Sequence, residues 1–280
     1  MSEPRRDRPS RAPERIVSLV PSLTEALFEL GLGQRVVGVT EWCIHPADGV
    51  REVPKVGGTK TPDRDAIVRL APDLVIANHE ENRRRDVEWL EAAGLRVWVT
   101  DPRTTAEGVA LLAEVAELGA SPERVAAIVR PVEAAYARAR EEAAGPRPRT
   151  FCPIWKDPWM SVGGDTYIHD LLTLCGAHNV FADEGDRRYP ILTEEQIVAA
   201  APEVILLPDE PYAFGPRDAA AFAKLPVPAA DAGRIHLIDG TLVTWYGPRI
   251  ETALRVIRNR LSGGRPELAR DLSCDSDGLG

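Results

Sequence analysis

The stretches "APDLVIANHEE" (71–81) and "APEVILLPDEP" (201–211) lie 130 positions apart and align without a gap. Ala71 meets Ala201, Pro72 meets Pro202, Asp73 meets Glu203 and Glu80 meets Glu210. In each, a proline stops a helical pattern and a short apolar run follows, the signature of a strand buried on both faces of a parallel sheet. The reading that decides the fold is therefore a helix–strand unit built twice, each copy ending on a glutamate.

The segments around the first copy fit that unit. "RIVSLV" (15–20), "RVVGVT" (35–40) and "LRVWVT" (95–100) read as strands, separated by the helical patterns "PSLTEALFELGLG", "DRDAIVRLAP" and "RRRDVEWLEAAG". Ser22, with Glu25 three residues on, reads as a helix cap. Such βα alternation specifies an α/β lobe with a mainly parallel sheet. Between 104 and 144 the pattern becomes wholly helical. "SPERVAAIVRPVEAAYARAREEAAG" offers Ser121 as a cap and Pro122 at the first helical position, with Pro131 expected to kink the helix. After "GPRPR" the alternation restarts with "TFCPIW", "DTYIHDLLTLCG", "TEEQIVAAAP", "EVILLP", "RIHLID" and "PRIETALRVIRNRLS". The expected organisation is a disordered lead-in (1–14), an N-terminal lobe (15–120), a linking helix (121–145), a C-terminal lobe (150–261) and a tail (262–280).

With 280 residues, 44% hydrophobic and 28% charged, the chain has material for real cores. Its net charge of −9 argues against a general nucleic-acid binder. The arginines of "ENRRRDVEW" sit among Glu81, Asp86 and Glu88, as on a solvated helix face. No run approaches the ~18–20 apolar residues of a membrane span. The start, "MSEPRRDRPSRAPERIV", has no apolar stretch after its arginines, and Cys43, Cys152, Cys175 and Cys274 form no CxxC. These features are read as a cytoplasmic protein with reduced thiols.

Ligands of open parallel sheets bind outside the carboxyl ends of the strands. Glu80 and Glu210 sit just past such ends, so two facing lobes would place both at the rim of one cleft. "EWCIHP" adds Cys43 and His45, two apart; on an extended loop both point to one side. With Glu41 as a third donor they could ligate an iron or zinc ion, and His45 could serve as axial base to a corrinoid or haem metal. His79 or Glu80 could complete such a site. The alternative is a buried cysteine beside a hydrogen-bonded loop histidine. Aromatics cluster on predicted loops at strand ends: Trp42, Trp155, Trp159, Tyr212, Phe214, Trp245 and Tyr246. Such rings suit a flat, conjugated ligand; alternatively each seals its own loop. "KVGGTK" and "SVGGDT" each carry a double glycine, suited to a turn or to close approach of an anion, and Lys60, Lys156 and Arg249 could face acidic groups of a ligand. No nucleophile elbow, kinase or HExxH motif is present.

The blocks "RIVSLVPSLTEALFELGLGQRVVGVT", "KVGGTKTPDRDAIVRLAPDLVIAN", "PWMSVGGDTYIHDLLTLCGAHNVF" and "PEVILLPDEPYAF" resemble the class III, helical-backbone periplasmic-binding-protein family of cobalamin and iron-chelate receptors, in order over roughly residues 14–260. The resemblance implies two Rossmann-like lobes on a rigid inter-lobe helix and little closure on binding. It also implies acidic residues that dock against permease arginines, and Glu80 or Glu81, with Glu210, stand at the matching positions. "EWCIHP", "NHEEN", "IWKDPWMSVGGDT" and "WYGPR" further resemble a soluble helical-backbone metal-receptor subgroup. The expected function is a non-catalytic binding protein for a metal-bearing chelate (corrinoid, haem or ferric siderophore) or a bare metal ion. The alternatives are the binding component of an ABC importer, with a permease as partner if exported, and a metal-handling enzyme using Cys43 and His45.

Overall fold

The computed structural model describes residues 12–142, 147–184 and 187–263. Most of the lead-in, the end of the linking segment, most of the tail and Cys274 lie outside the described residues. In the first lobe β1 (Ile16–Ser18), β2 (Val36–Val39), β3 (Leu74–Asn78) and β4 (Val97–Thr100) form one parallel sheet in the order β2-β1-β3-β4. The second lobe contains β5 (Arg149–Phe151), β6 (Trp159–Met160), β7 (His178–Asn179), β8 (Ile191–Leu192), β9 (Val204–Pro208) and β10 (Ile235–Ile238). There β7-β5-β9-β10 is again parallel, while β6 and β8 pair as an antiparallel ribbon. The protein is α/β, with two lobes of the same strand order: β1 corresponds to β5 and β3 to β9.

The echo in the sequence is an echo in hydrogen bonding. Asp73 accepts the backbone N–H groups of Glu14 and Arg15 at 2.8 and 3.0 Å, and the Arg15 guanidinium donates to the Leu70 carbonyl at 2.6 Å. Glu203 accepts the N–H of Arg149 at 2.8 Å, and the Arg149 guanidinium donates to the Ala200 carbonyl at 2.7 Å. Each clasp thus ties the start of the first strand to the helix end and the start of the paired strand. It satisfies carbonyls that a helix C-terminus leaves open. Ala71 and Ala201 both adopt positive φ, 46° and 42°. Each follows a helix and precedes a proline, which disfavours the right-handed helical conformation. The same left-handed exit is accepted twice although neither residue is glycine.

The linking segment runs through the helical turn Pro122–Arg124, a π turn at Val125–Val129 and the helix Arg130–Glu141. Pro131 has no N–H, and its ring would press on the carbonyl of Ala127. In place of a break, the structure widens the preceding turn to the π spacing. The Ser22 cap is not observed. Helix Pro21–Glu29 starts on Pro21, its cap residue is Val20, and the Ser22 hydroxyl is buried without a partner among the described residues.

Each lobe has a private core, Val17, Ile67 and Leu90 in one and Phe151, Ile205 and Phe222 in the other. A third and larger cluster belongs to both. It runs from Leu23 and Leu27 through Leu112 and Val132 to Leu171, Val243 and Ile257. The faces that meet below the cleft are therefore apolar and buried together, which fixes where the strand ends of the two sheets confront each other.

Candidate functional site

The loops after the strand ends of both sheets line one inter-lobe cleft. Its floor is closed by bonds between the lobes. Asn78, the last residue of β3, donates through Nδ2 to the Tyr246 hydroxyl at 2.7 Å. Arg249 makes a two-pronged ion pair with Glu25 at 2.7 and 2.8 Å, donates to the Thr241 hydroxyl at 2.7 Å and lies 3.5 Å from Asp239. The Thr105 N–H donates to Asp170 at 2.7 Å. On one flank, Glu80 accepts the Tyr189 hydroxyl at 2.5 Å and pairs with Arg188 at 2.8 Å; Arg103 bridges Asp101 and Asp165 at 3.1 and 2.9 Å.

Local hydrogen bonds aim the loop after β3. The Asn78 side-chain oxygen accepts the N–H of Glu80 at 2.8 Å and of Glu81 at 3.2 Å, while Asn82 caps the Asn78 N–H and reaches the Thr59 carbonyl. Glu81 is thereby held half-buried, facing the second lobe. Burial, and then the charge of Glu210 from the opposite lobe, push its pKa up to about 8; Lys60 opposes and Glu80 adds to the rise. Burial also raises Glu210, against hydrogen bonds from Thr244 and the Trp245 indole. A Cβ on Gly240 would lie 2.5 Å from Glu210 Cγ and 2.6 Å from its N, so the close approach of this loop to Glu210 requires glycine.

The aromatic residues separate into two groups. Trp42, 64% exposed, and Trp155, 44% exposed, present open indole faces on loops after β2 and β5, one on each lobe. Trp155 meets the edge of Tyr212 at 5.6 Å. Trp245, Tyr246 and Phe214 are buried. Trp245 lies under the Arg249 guanidinium and against the edge of His45, and Trp159 stacks on Phe214 in the core of the second lobe. The cations expected to face a ligand are engaged: Lys156 with Asp218 at 2.7 Å, Arg249 as above, and Lys60 with the Glu80 carbonyl. His79 is exposed, 4.0 Å from Asp101.

The metal set of Cys43, His45 and Glu41 is not assembled. The Cys43 N–H turns back to the Thr40 carbonyl, so the loop is not extended. The Cys43 thiol is fully buried, 3.1 Å from the Thr24 hydroxyl and 3.2 Å from that of Thr40, and burial raises its pKa. His45 packs toward Trp245 and Glu41 is exposed. Among the described residues no three His, Cys, Asp or Glu side chains are grouped to hold a metal ion. Glu80, Glu81 and Glu210, the residues expected to dock a permease, are each half-buried, and Glu80 is bonded to Arg188 and Tyr189 of the second lobe. The double glycines shape turns: Gly57 has φ +82°, and Gly163 donates to the Arg188 carbonyl at 2.8 Å. Sequence reasoning missed Glu25, Asn78, Arg188 and Tyr189 as cleft residues. A cavity of about 370 Å³ lies elsewhere, between helices Arg130–Glu141 and Arg249–Leu261. No described helix is long and apolar enough to cross a membrane.

Comparison with known proteins agrees with this architecture. A vitamin B12-binding protein of Photorhabdus laumondii is 27% identical over 197 residues, covering 70% of this chain and 71% of that one. The apo periplasmic haem-binding protein RhuT of Roseiflexus sp. RS-1 superposes with a TM-score of 0.76 and 27% identity, over 89% of this chain and 98% of its own. The periplasmic vitamin B12-binding protein BtuF of Vibrio cholerae shares the fold at a TM-score of 0.79 and 24% identity, over 90% and 97%. The expectation of a cytoplasmic protein is overturned by the 27%-identical solved relative, which is periplasmic. Cys43, Cys152 and Cys175 are all buried, and burial raises each thiol, so their free state carries no information on compartment. Residues 16–227 match the family described as Periplasmic binding protein, and with two like-ordered parallel sheets facing across one cleft, the chain belongs to that family.

Proposed function

We propose that the protein is a non-catalytic receptor that holds a planar metal chelate, a corrinoid or a haem, between its lobes and delivers it to an ABC permease. The observation that carries this reading is the pair of open indoles, Trp42 and Trp155, one from each lobe at strand carboxyl ends. Exposed rings on both lobes cost solvation unless a flat apolar partner covers them. Tyr212 extends the Trp155 wall, and the half-buried His45 imidazole, beside Trp245, is the candidate axial base. Such a ligand brings its own metal, in keeping with a cleft whose described residues group no three His, Cys, Asp or Glu side chains around an ion. The named relatives bind vitamin B12 or haem.

Titration of the purified protein with haemin and with dicyanocobinamide, followed by absorbance and tryptophan fluorescence, tests the reading. At least one chelate should shift its spectrum at one equivalent and quench the indoles. Trp42→Ala and Trp155→Ala should each weaken that binding about tenfold or more, equal to about 1.4 kcal/mol. Melting temperature should stay within a degree or two, because neither ring belongs to a core. Silence with both chelates would overturn the proposal.

A further inference from the structure

The cleft carries more acid than base, and its bases are spoken for. Three carboxylates, Glu25, Asp239 and Glu210, surround the single guanidinium of Arg249. Arg188 is shared by Glu80 and Asp165, and Arg103 by Asp101 and Asp165. Lys156 is held by Asp218 and Lys60 by a backbone carbonyl. Against these, the half-buried Glu81, beside Lys60, Glu80, Glu210 and Tyr246, has no carboxyl hydrogen-bond partner among the described residues. Among the described residues Glu210 is bonded to neutral donors alone, the Thr244 hydroxyl and the Trp245 indole. The two carboxyl groups come from different lobes and repel across the space where a ligand would lie.

Resting on the chelate-binding reading, we propose that Glu81 and Glu210 set the charge specificity of the cleft: it takes a chelate whose rim carries hydrogen-bond donors, amides or amines, and turns away one whose rim carries carboxylates. An amide N–H or ammonium of the ligand satisfies acceptors that the protein leaves open. Among the described residues, a ligand carboxylate would meet cations already held by other groups, Lys60 beside Glu81 included, and would add a like charge to an existing pair. Specificity of this kind comes from an unfavourable contact with the wrong ligand as much as from a good one with the right ligand.

The test is a competition between chelates that differ at the rim. Dicyanocobinamide, with amide side chains, and haemin, with two carboxylates, are titrated into wild-type protein and into the double variant Glu81→Gln, Glu210→Gln at pH 6 and pH 8.5. The wild type should prefer the amide-bearing chelate at least tenfold at pH 8.5 and less at pH 6, where Glu81 is protonated. The double variant should reduce that preference at least fivefold and flatten its pH dependence. Haemin dimethyl ester, which lacks the charges, should bind wild type more tightly than haemin does. Equal or tighter binding of haemin, or a preference untouched by the double variant, overturns the assignment while leaving chelate binding in place. Failure of every chelate to bind removes the underlying reading and this assignment with it.

Discussion

Glu25→Ala is expected to cost the protein about 3 kcal/mol of stability. Glu25 and Arg249 are only 13% and 20% exposed at their side chains, and they join the two lobes through two parallel hydrogen bonds. Removing one member of an enclosed pair costs about 3–5 kcal/mol because the other is left with its desolvation uncompensated; residual solvent contact and Asp239 place this case at the lower end. For a protein of this size, about 3 kcal/mol lowers Tm by roughly 6–12 °C. Adding Arg249→Met should recover part of the loss, since a double change leaves no unpaired charge. Urea and thermal melts of both single variants and the double variant measure the coupling. A Glu25→Ala midpoint within about 0.5 kcal/mol of wild type would mean that the pair is decoration on an interface held by other contacts.

Stability should also fall as pH rises from about 6.5 to about 8.5, by an amount on the order of a few kcal/mol, and Glu81→Gln should remove most of that slope. Glu81 titrates near 8 in the folded protein and near 4.5 as a free side chain. Between these values the native state binds the extra proton, so the slope of unfolding free energy with pH is negative. The stabilisation is complete below about 4.5 and is lost as pH climbs through about 8. Glu210, also raised, acts in the same sense. His169 and His236, both lowered chiefly by burial, act oppositely, but their contribution is lost only as pH falls below about 6.5. The buried thiols Cys43, Cys152 and Cys175, all raised, add in the same sense only as pH nears 9, so the carboxyl pair dominates from about 6.5 to about 8. Melts at half-unit steps, wild type beside Glu81→Gln, should show a variant whose advantage over the wild type widens steadily from pH 6.5 to about pH 8 and then levels off. A wild-type curve that is flat or rising over the interval would show that Glu81 ionises freely.

The duplicated framework was legible because its signals are local. A proline after a helix, four or five apolar residues and an acidic residue at the strand mouth occur within a dozen positions, at 71 and again at 201. The clasp that makes the copies equivalent was not legible, since Arg15 and Asp73 are 58 residues apart. Glu25 shows the same limit: its spacing from Ser22 suggested a cap, while its partner lies 224 residues away. The error over Cys43 and His45 has another origin. Alternation holds only for extended chain, and the turn from Thr40 to Cys43 sends the thiol inward among Ser18, Thr24 and Thr40. Among the rings, loop position alone could not separate open Trp42 and Trp155 from buried Trp245, Tyr246 and Phe214, because the difference lies in what each loop packs against.

The apolar cluster common to both lobes bears on how the molecule comes apart. Leu27 and Leu112 lie in the same continuous packing as Leu171 and Ile257. Prising the lobes apart would wet that surface on both sides at once, so neither lobe has a melted state in which its twin keeps its full core. Cooperativity then extends over the whole framework, and the ligand site is assembled or lost as one unit with it.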